Sequence, residues 1–139
     1  MIRRFLIDTN VVLDVLLDRK PFVDDARAIW ELSDAGTFDA SVAAFSLPTI
    51  HYVCRRHAGI AAANNAVDIC LQAFEVCALY RECVLAARRM AGGEFEDNLQ
   101  IASAITDFMQ GIVTRNKADF IESPLPVYSP GEFLQLVRR

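Results

Sequence analysis

Three aspartates and one asparagine occupy positions from which their oxygens can meet at one edge of a folded sheet. Asp8 directly follows a short apolar run over residues 4–7, which predicts a first strand. Asn116 and Asp119 follow a second apolar run, and Asp97 lies in the first turn of a predicted helix. Functional groups of open parallel sheets gather beyond the carboxyl ends of the strands. We therefore expect Asp8, Asp97, Asp119 and Asn116 to form a catalytic site.

The chemistry expected of this cluster is that of a divalent metal ion. Neighbouring carboxylates repel one another unless a cation neutralises them. Oxygen ligands without an accompanying His or Cys favour Mg²⁺ or Mn²⁺, and magnesium commonly uses one or two carboxylates and several waters. The expected metal ligands are Asp8, Asp97 and Asp119, and the ion would activate a water for attack on a phosphate ester.

Other polar residues near these aspartates are expected to support the site. Asn10 stands two residues after Asp8 and would orient that carboxylate or a metal-bound water. Glu96 precedes Asp97 directly and is near enough to assist it, and Thr114 closes the last buried strand of the site.

Two basic residues are the best candidates for holding a phosphate. Arg115 and Lys117 flank Asn116 at the proposed site, whereas paired arginines elsewhere are typical of solvated surface. We expect Arg115 in particular to support the site.

Each aspartate also has a structural interpretation, which the sequence leaves open. Asp8 is well placed to cap the helix that follows it, and Asp97 to interact with a helix dipole. Asp119 fits a turn. The combination of all three favours a site.

Two other kinds of site are less consistent with the sequence. His51, Cys54 and His57 are spaced three apart on a predicted helix, but zinc needs a fourth ligand and the helix is otherwise typical of a core. An aspartate-nucleophile phosphatase typically has a second Asp two residues after the first, as general acid. Asn10 occupies that position after Asp8 and cannot donate the proton.

Strands that alternate with helices must position these residues. The patterns predict helices after Asp8 and over 23–35, 46–56, 59–73, 80–90, 95–109 and 130–139, and strands over 4–7, 38–42, 76–79, 112–114 and 124–128. This alternation predicts an α/β fold, a three-layer α/β/α sandwich around a central, mainly parallel sheet.

Composition limits the classes of protein that fit. The chain has 139 residues, of which 53% are apolar, and this predicts a single domain over 1–139 with one core. The net charge of −4 excludes a generally basic nucleic-acid-binding coat but is compatible with an acidic metal site. No apolar stretch reaches the about 18 residues of a membrane span. Four cysteines without C-x-x-C spacing predict buried thiols in a protein of the reducing cytoplasm.

Four segments share the order and spacing of a known family. They are FLIDTNVVL (5–13), EDNLQIASA (96–104), IVTRNKADF (112–120) and PVYSPGEFL (126–134). Together they resemble the PIN-domain nucleases, which include the toxin subunits of many bacterial toxin–antitoxin pairs. The resemblance implies that Asp8 and Asp97 are metal ligands. Thr49 departs from it, because the family usually has Glu there, and so does Asn116, where Asp is frequent.

The resemblance implies a Mg²⁺- or Mn²⁺-dependent endoribonuclease that hydrolyses RNA and acts as the toxin of a toxin–antitoxin pair. The implied partners are the RNA substrate, a small antitoxin protein and a second copy of the chain. The departures at Thr49 and Asn116 motivate a second hypothesis, a catalytically weak or inactive PIN-like module that binds RNA or protein.

Overall fold

Five strands form one parallel sheet in the computed structural model, which describes residues 3–138. The strands are β1 (Arg4–Ile7), β2 (Asp39–Ala43), β3 (Glu75–Cys77), β4 (Gly111–Val113) and β5 (Val127–Tyr128). Their order across the sheet is β3-β2-β1-β4-β5. The central β1 pairs with β2 on one side and with β4 on the other, so the residues after these three strands leave the sheet at the same edge.

Within the described residues, seven α-helices connect and cover the strands. They are α1 (Thr9–Leu16), α2 (Val23–Asp34), α3 (Ser46–Ala58), α4 (Ile60–Ala73), α5 (Arg81–Arg89), α6 (Phe95–Thr106) and α7 (Pro130–Val137). A 3-10 helix, Lys117–Phe120, lies between β4 and β5. The last helix begins with a capping box, in which Ser129 and Glu132 satisfy each other's backbone N–H groups.

Side chains of β1 alternate between two cores, one on each face of the sheet. Phe5 and Ile7 pack with residues of α1, α2, α3, α4 and α7, whereas Leu6 packs with Ile101 of α6 and Ile112 of β4. Phe5, Leu6 and Ile7 are all almost fully buried, as expected for a parallel strand covered on both faces. The predicted three-layer α/β/α fold with a parallel sheet is confirmed.

The predicted elements agree with the structure except near some ends. The helix predicted over 95–109 ends at Thr106, because the chain turns at Phe108, which has a φ of 56°. Met109 is nevertheless buried, which explains why it fitted the apolar pattern of the helix. The last strand covers two residues instead of five, since Pro124 and Pro126 have no N–H to donate to a neighbouring strand. Residue 139, included in the predicted closing helix, lies outside the described residues.

The cysteines behave as core residues. Cys54, Cys70, Cys77 and Cys83 are all buried as free thiols. Burial raises the pKa of Cys70 to about 11 and that of Cys77 to about 12, so both thiols are neutral near pH 7. Within residues 3–138, no helix combines the length and apolar character needed to cross a membrane.

Candidate active site

The carboxylate of Asp8 is buried at the carboxyl end of β1, where it is 4% exposed. Gln100 Nε2 donates to its Oδ1 and Thr114 Oγ1 donates to its Oδ2, each at 2.9 Å. Asp8 does occupy the N-cap position of α1, but its side chain makes no capping hydrogen bond. Asp8 therefore lies where a capping residue would, but its side chain does not cap the helix. Its two carboxylate oxygens instead accept hydrogen bonds from Gln100 of α6 and from Thr114 at the end of β4.

Burial and hydrogen bonding act on Asp8 in opposite directions. Desolvation raises the pKa of the carboxyl, and the hydrogen bonds from Gln100 and Thr114 lower it. The net effect is a pKa above the usual range for an aspartate. A nearby cation would therefore stabilise the ionised form of Asp8.

A glycine turn fixes the start of α6 and thereby places Asp97. Gly93 has a φ of 77°, a conformation that favours glycine, and a Cβ there would lie 2.9 Å from Asn98 Oδ1. Asn98 is buried and donates from Nδ2 to the carbonyl of Gly92 at 2.8 Å. On the other side of the turn, the Gly92 N–H donates to Glu122 Oε1. Asp97 consequently lies in the first turn of α6 as predicted.

Asp97 lies in an acidic environment. Its pKa is raised to about 6, first by desolvation and then by the negative charges of Asp8, Asp119, Glu96 and Glu94. The positive end of the α6 dipole only partly offsets such repulsion. The carboxylates of Asp8 and Asp97 thus repel each other, and the charge of Arg115 only partly offsets the burial of Asp8, which is the situation expected of a cation site.

An open cleft joins these carboxylates to residues of α1 and α3. Its lining consists of Asp8, Thr9, Asn10, Leu13, Arg19, Thr49, Val53, Glu96, Asp97 and Gln100. The buried hydroxyls of Thr9 and Ser46 are hydrogen-bonded at 2.7 Å, which ties the start of α1 to the start of α3. Because Thr49 lies one turn after Ser46, it reaches the cleft, where the resemblance had placed a glutamate.

The residues after β4 contribute more indirectly. Thr114 is fully buried, and its hydroxyl accepts from the Asn116 N–H at 3.1 Å while it donates to Asp8. Asn116 is half-buried. Its backbone N–H holds the Thr114 hydroxyl, which in turn holds Asp8. Asp119 is exposed in the 3-10 helix and does not line the cleft, although its charge raises the pKa of Asp97.

Both basic residues expected at the site form ion pairs. Lys117 Nζ forms an exposed salt bridge of 2.9 Å with Glu132. Arg115 Nε lies 2.9 Å from Oδ2 of Asp14, which sequence reasoning did not single out. Arg19, also missed, lines the cleft itself. Asp14 interrupts the apolar run of α1 over residues 11–16, and a charge in that position was the available signal that a buried partner was needed.

The donor set fits a hard divalent cation bound by few protein ligands. Asp8 and Asp97 supply carboxylate oxygens to the cleft, and Gln100 Oε1 is buried there with no hydrogen-bond partner within residues 3–138. Buried acceptors of this kind are usually satisfied by water or an ion. Across the same described range, no three His, Cys, Asp or Glu side chains group closely enough to hold a metal. Any ion here would rely on two carboxylates and water, which magnesium tolerates.

The zinc hypothesis receives no support from the geometry. His51 Nε2 is hydrogen-bonded to Asn64 Oδ1 at 2.9 Å, and Cys54 is a buried core residue. His57 is exposed near the end of α3. Cys54 and His57 line one pocket that does not include His51, and within residues 3–138 no three His, Cys, Asp or Glu side chains group closely enough to hold a metal.

Comparison with known families identifies the family of this chain. A family model described as PIN domain matches residues 4–118, which include Asp8, Asp97 and Asn116. The chain belongs to the PIN domain family. The predicted resemblance is thereby confirmed. A search for curated relatives by sequence found no match.

Solved structures similar to this PIN domain show the same fold at low sequence identity. A chain of the DNA-bound VapBC from Salmonella typhimurium is 16% identical, with a TM-score of 0.69 over 94% of this chain and 99% of that one. A chain of a toxin–antitoxin complex from Klebsiella pneumoniae is 18% identical, with a TM-score of 0.67 over 90% and 96%. VapC20 from Mycobacterium tuberculosis, a Sarcin-Ricin loop cleaving toxin, is 16% identical, with a TM-score of 0.64 over 78% and 86%.

The raised pKa of Asp97 predicts a specific pH dependence of stability in metal-free protein. Because its pKa is about 6 in the folded protein against 3.8 for an ordinary aspartate, the folded state holds this proton more tightly than the unfolded chain. The contribution of Asp97 to the free energy of unfolding therefore falls as the pH rises through this interval. Asp97→Asn removes this pH-dependent loss of stability. We expect the free energy of unfolding of Asp97→Asn to exceed that of the wild type by about 1 kcal/mol at neutral pH, after allowing for solvent screening.

Thermal unfolding in EDTA from about pH 4 to about pH 8 measures this difference. Asp68→Asn, which removes an exposed carboxylate of α4 outside the cleft, is the control for the loss of one negative charge. A stability difference between Asp97→Asn and wild type that stays constant over the whole range would contradict the prediction.

Proposed function

We propose that this PIN domain is a Mg²⁺- or Mn²⁺-dependent endoribonuclease. The observation that carries the proposal is the pair of carboxylates, Asp8 and Asp97, that interact in one open cleft at the carboxyl edge of the sheet. Membership of the PIN domain family supports it, as does the likeness in fold to VapC20 from Mycobacterium tuberculosis, a Sarcin-Ricin loop cleaving toxin.

The roles of the residues follow from their contacts. Asp8 and Asp97 would hold the ion, with Gln100 and Thr114 keeping the Asp8 carboxylate in one orientation. A bound Mg²⁺ or Mn²⁺ would supply a water of lowered pKa and a Lewis acid for the phosphate. Asn10 lines the cleft beside Asp8 and would orient a water or the phosphate through its amide.

Three acidic or amide residues complete the proposed site at longer range. Asp119 and Glu96 add negative charge around Asp97, which favours binding of a cation. Asn116 holds Thr114 through its backbone N–H. We propose Asp119 as an outer residue of the metal site, which reaches the ion through water.

The biological setting that we propose is that of a bacterial toxin. Similar folds occur in complexes of VapBC and in a toxin–antitoxin complex, and this supports a small antitoxin as the partner that blocks the cleft. We also propose that the protein acts in the cytoplasm, where RNA is present, and that it forms a homodimer.

Cleavage of a mixed RNA panel tests the proposal. We expect wild-type protein, purified free of any bound partner, to cut RNA with Mg²⁺ or Mn²⁺ and not in EDTA. Asp8→Asn and Asp97→Asn should each lower the rate at least about a hundredfold, because each removes a charged ligand. Asp68→Asn, on the exposed face of α4, should cut like wild type.

Two results would contradict this assignment. Full metal-dependent activity in Asp8→Asn would remove the carboxylate pair from the mechanism. RNA binding that survives EDTA, without cleavage under any divalent ion, would instead identify a binding module, consistent with the threonine at position 49 of the cleft.

The position of Thr49 yields a gain-of-function prediction. Thr49 lines the cleft and is half-buried, so a glutamate there would add a carboxylate to those of Asp8, Asp97 and Glu96. More ligand charge strengthens cation binding, and we expect Thr49→Glu to lower the Mn²⁺ concentration for half-maximal cleavage by about tenfold. Thr49→Gln has nearly the same shape without the charge and should leave this concentration unchanged. Equal metal requirements of the Glu and Gln variants would show that position 49 does not reach the ion.

A further inference from the structure

A buried aspartate behind the cleft binds two arginines from different parts of the chain. Asp14 of α1 is 1% exposed. Its Oδ1 lies 3.0 Å from Arg19 Nε, and its Oδ2 lies 2.9 Å from Arg115 Nε. Arg115 also stacks on Phe22, with 4.0 Å between its guanidinium carbon and the ring centroid. Three charges therefore form one fixed unit that carries a net charge of +1.

Arg115 has the contacts expected of a structural partner for Asp14. Besides its Nε contact, its Nη2 lies 3.4 Å from Asp14 Oδ1, so it approaches both oxygens of the carboxylate. The stacking on Phe22 holds the guanidinium in place. Since one arginine neutralises one carboxylate, the charge of Arg19 is not needed to compensate Asp14.

The charge of Arg19 is instead directed at the acidic cleft. Arg19 lines the cleft with Asp8, Asp97 and Thr49, and its side chain is 33% exposed. Its Nη2 lies 3.4 Å from both the carbonyl and the Oδ1 of Asn10, which are long contacts. Within residues 3–138, Nη1 of Arg19 has no hydrogen-bond acceptor. Arg19 Nε is buried and lies 3.0 Å from Asp14 Oδ1 without hydrogen-bond geometry, so the ion pair holds the guanidinium by charge. A partly exposed guanidinium held in this way, with free outer donors, is prepared to bind an anion.

We infer that Arg19 binds a phosphate of the RNA in this cleft and that Asp14 is the positioning residue that aims its guanidinium. The inference rests on the proposed function for the identity of the anion. An acidic chain with three carboxylates in its cleft, Asp8, Glu96 and Asp97, repels a polyanion, and a positive charge at the cleft wall offsets that repulsion where the phosphate must lie. Asp14 acts only through Arg19 and touches no substrate.

RNA binding separates this inference from catalysis. The measurement is the fluorescence anisotropy of a labelled single-stranded RNA in EDTA, with Asp8→Asn and Asp97→Asn as the background, so that neither cleavage nor metal contributes. Adding Arg19→Met to this background should weaken binding about tenfold and reduce the slope of log affinity against log salt by about 0.7. Arg27→Met is the matched control, because Arg27 is exposed on α2 and pairs with Asp18.

Asp14→Asn tests whether Asp14 positions Arg19, because the two explanations predict opposite changes in RNA affinity. Removing a negative charge should tighten RNA binding if only the overall field matters. It should weaken binding severalfold if Asp14 holds Arg19 in place, and the salt slope should persist because the arginine charge remains.

Arg19→Lys gives a second measurement that does not disturb the charge balance of the buried Asp14 carboxylate. It should keep the salt slope of the background while recovering only part of the affinity, since an ammonium lacks the planar fork.

The outcomes discriminate between the two proposals. If the background protein binds RNA and Arg19→Met binds as Arg27→Met does, the inference is overturned. Tighter binding by Asp14→Asn would overturn the positioning role, and absence of RNA binding in the background would overturn the phosphate contact. Arg19-dependent binding in a protein whose wild type never cuts RNA would sustain the inference while the nuclease proposal fails.

Discussion

The buried carboxylate of Asp8 is the constraint on which the rest of the site depends. An ionised group that is almost fully buried must be compensated by hydrogen bonds or by opposite charge. Gln100 and Thr114 supply those hydrogen bonds from α6 and from the end of β4. The same contacts fix both of those elements against β1. The site and the packing of the central strands therefore cannot vary independently.

The two faces of the α/β/α sandwich contribute different groups to the cleft. α1 brings Asn10 from the larger core, whereas α6 brings Asp97 and Gln100 from the opposite face. Among residues 3–138, Arg19 is the basic residue that lines the cleft, and the charge of Arg115 also acts on Asp8. Both arginines pair with the buried Asp14. The cleft thus combines an acidic pair with a single guanidinium at its wall, and this combination suits a divalent cation and a phosphate bound side by side.

Sequence reasoning succeeded where local pattern and topology carry the information. The apolar run of β1, followed directly by Asp8, predicts both a strand and the position of the carboxylate at its end. The glycine turn at residues 92 and 93 predicts the start of α6 and so the place of Asp97. Parallel α/β topology then brings these residues together, since β1 lies at the centre of the sheet.

The groups that sequence reasoning missed depend on pairing between distant segments. Gln100 is 92 residues from Asp8, and Arg115 is 101 residues from Asp14, so no local spacing links either pair. The role of Asp119 as a metal ligand stays a prediction, and the 3-10 helix that positions it was not predicted from the sequence. A buried charge on an apolar helix, such as Asp14, signals that a partner exists without saying which residue it is.

Direct binding of Mn²⁺ tests the central claim, that Asp8 and Asp97 form a cation site. Electron paramagnetic resonance of free Mn²⁺ gives the bound fraction without reference to RNA or to cleavage. We expect the wild type to have a saturable Mn²⁺ site that disappears in the Asp8→Asn, Asp97→Asn double variant. Thermal unfolding of the double variant shows that it is folded. Equal Mn²⁺ binding by the wild type and the folded double variant would contradict it.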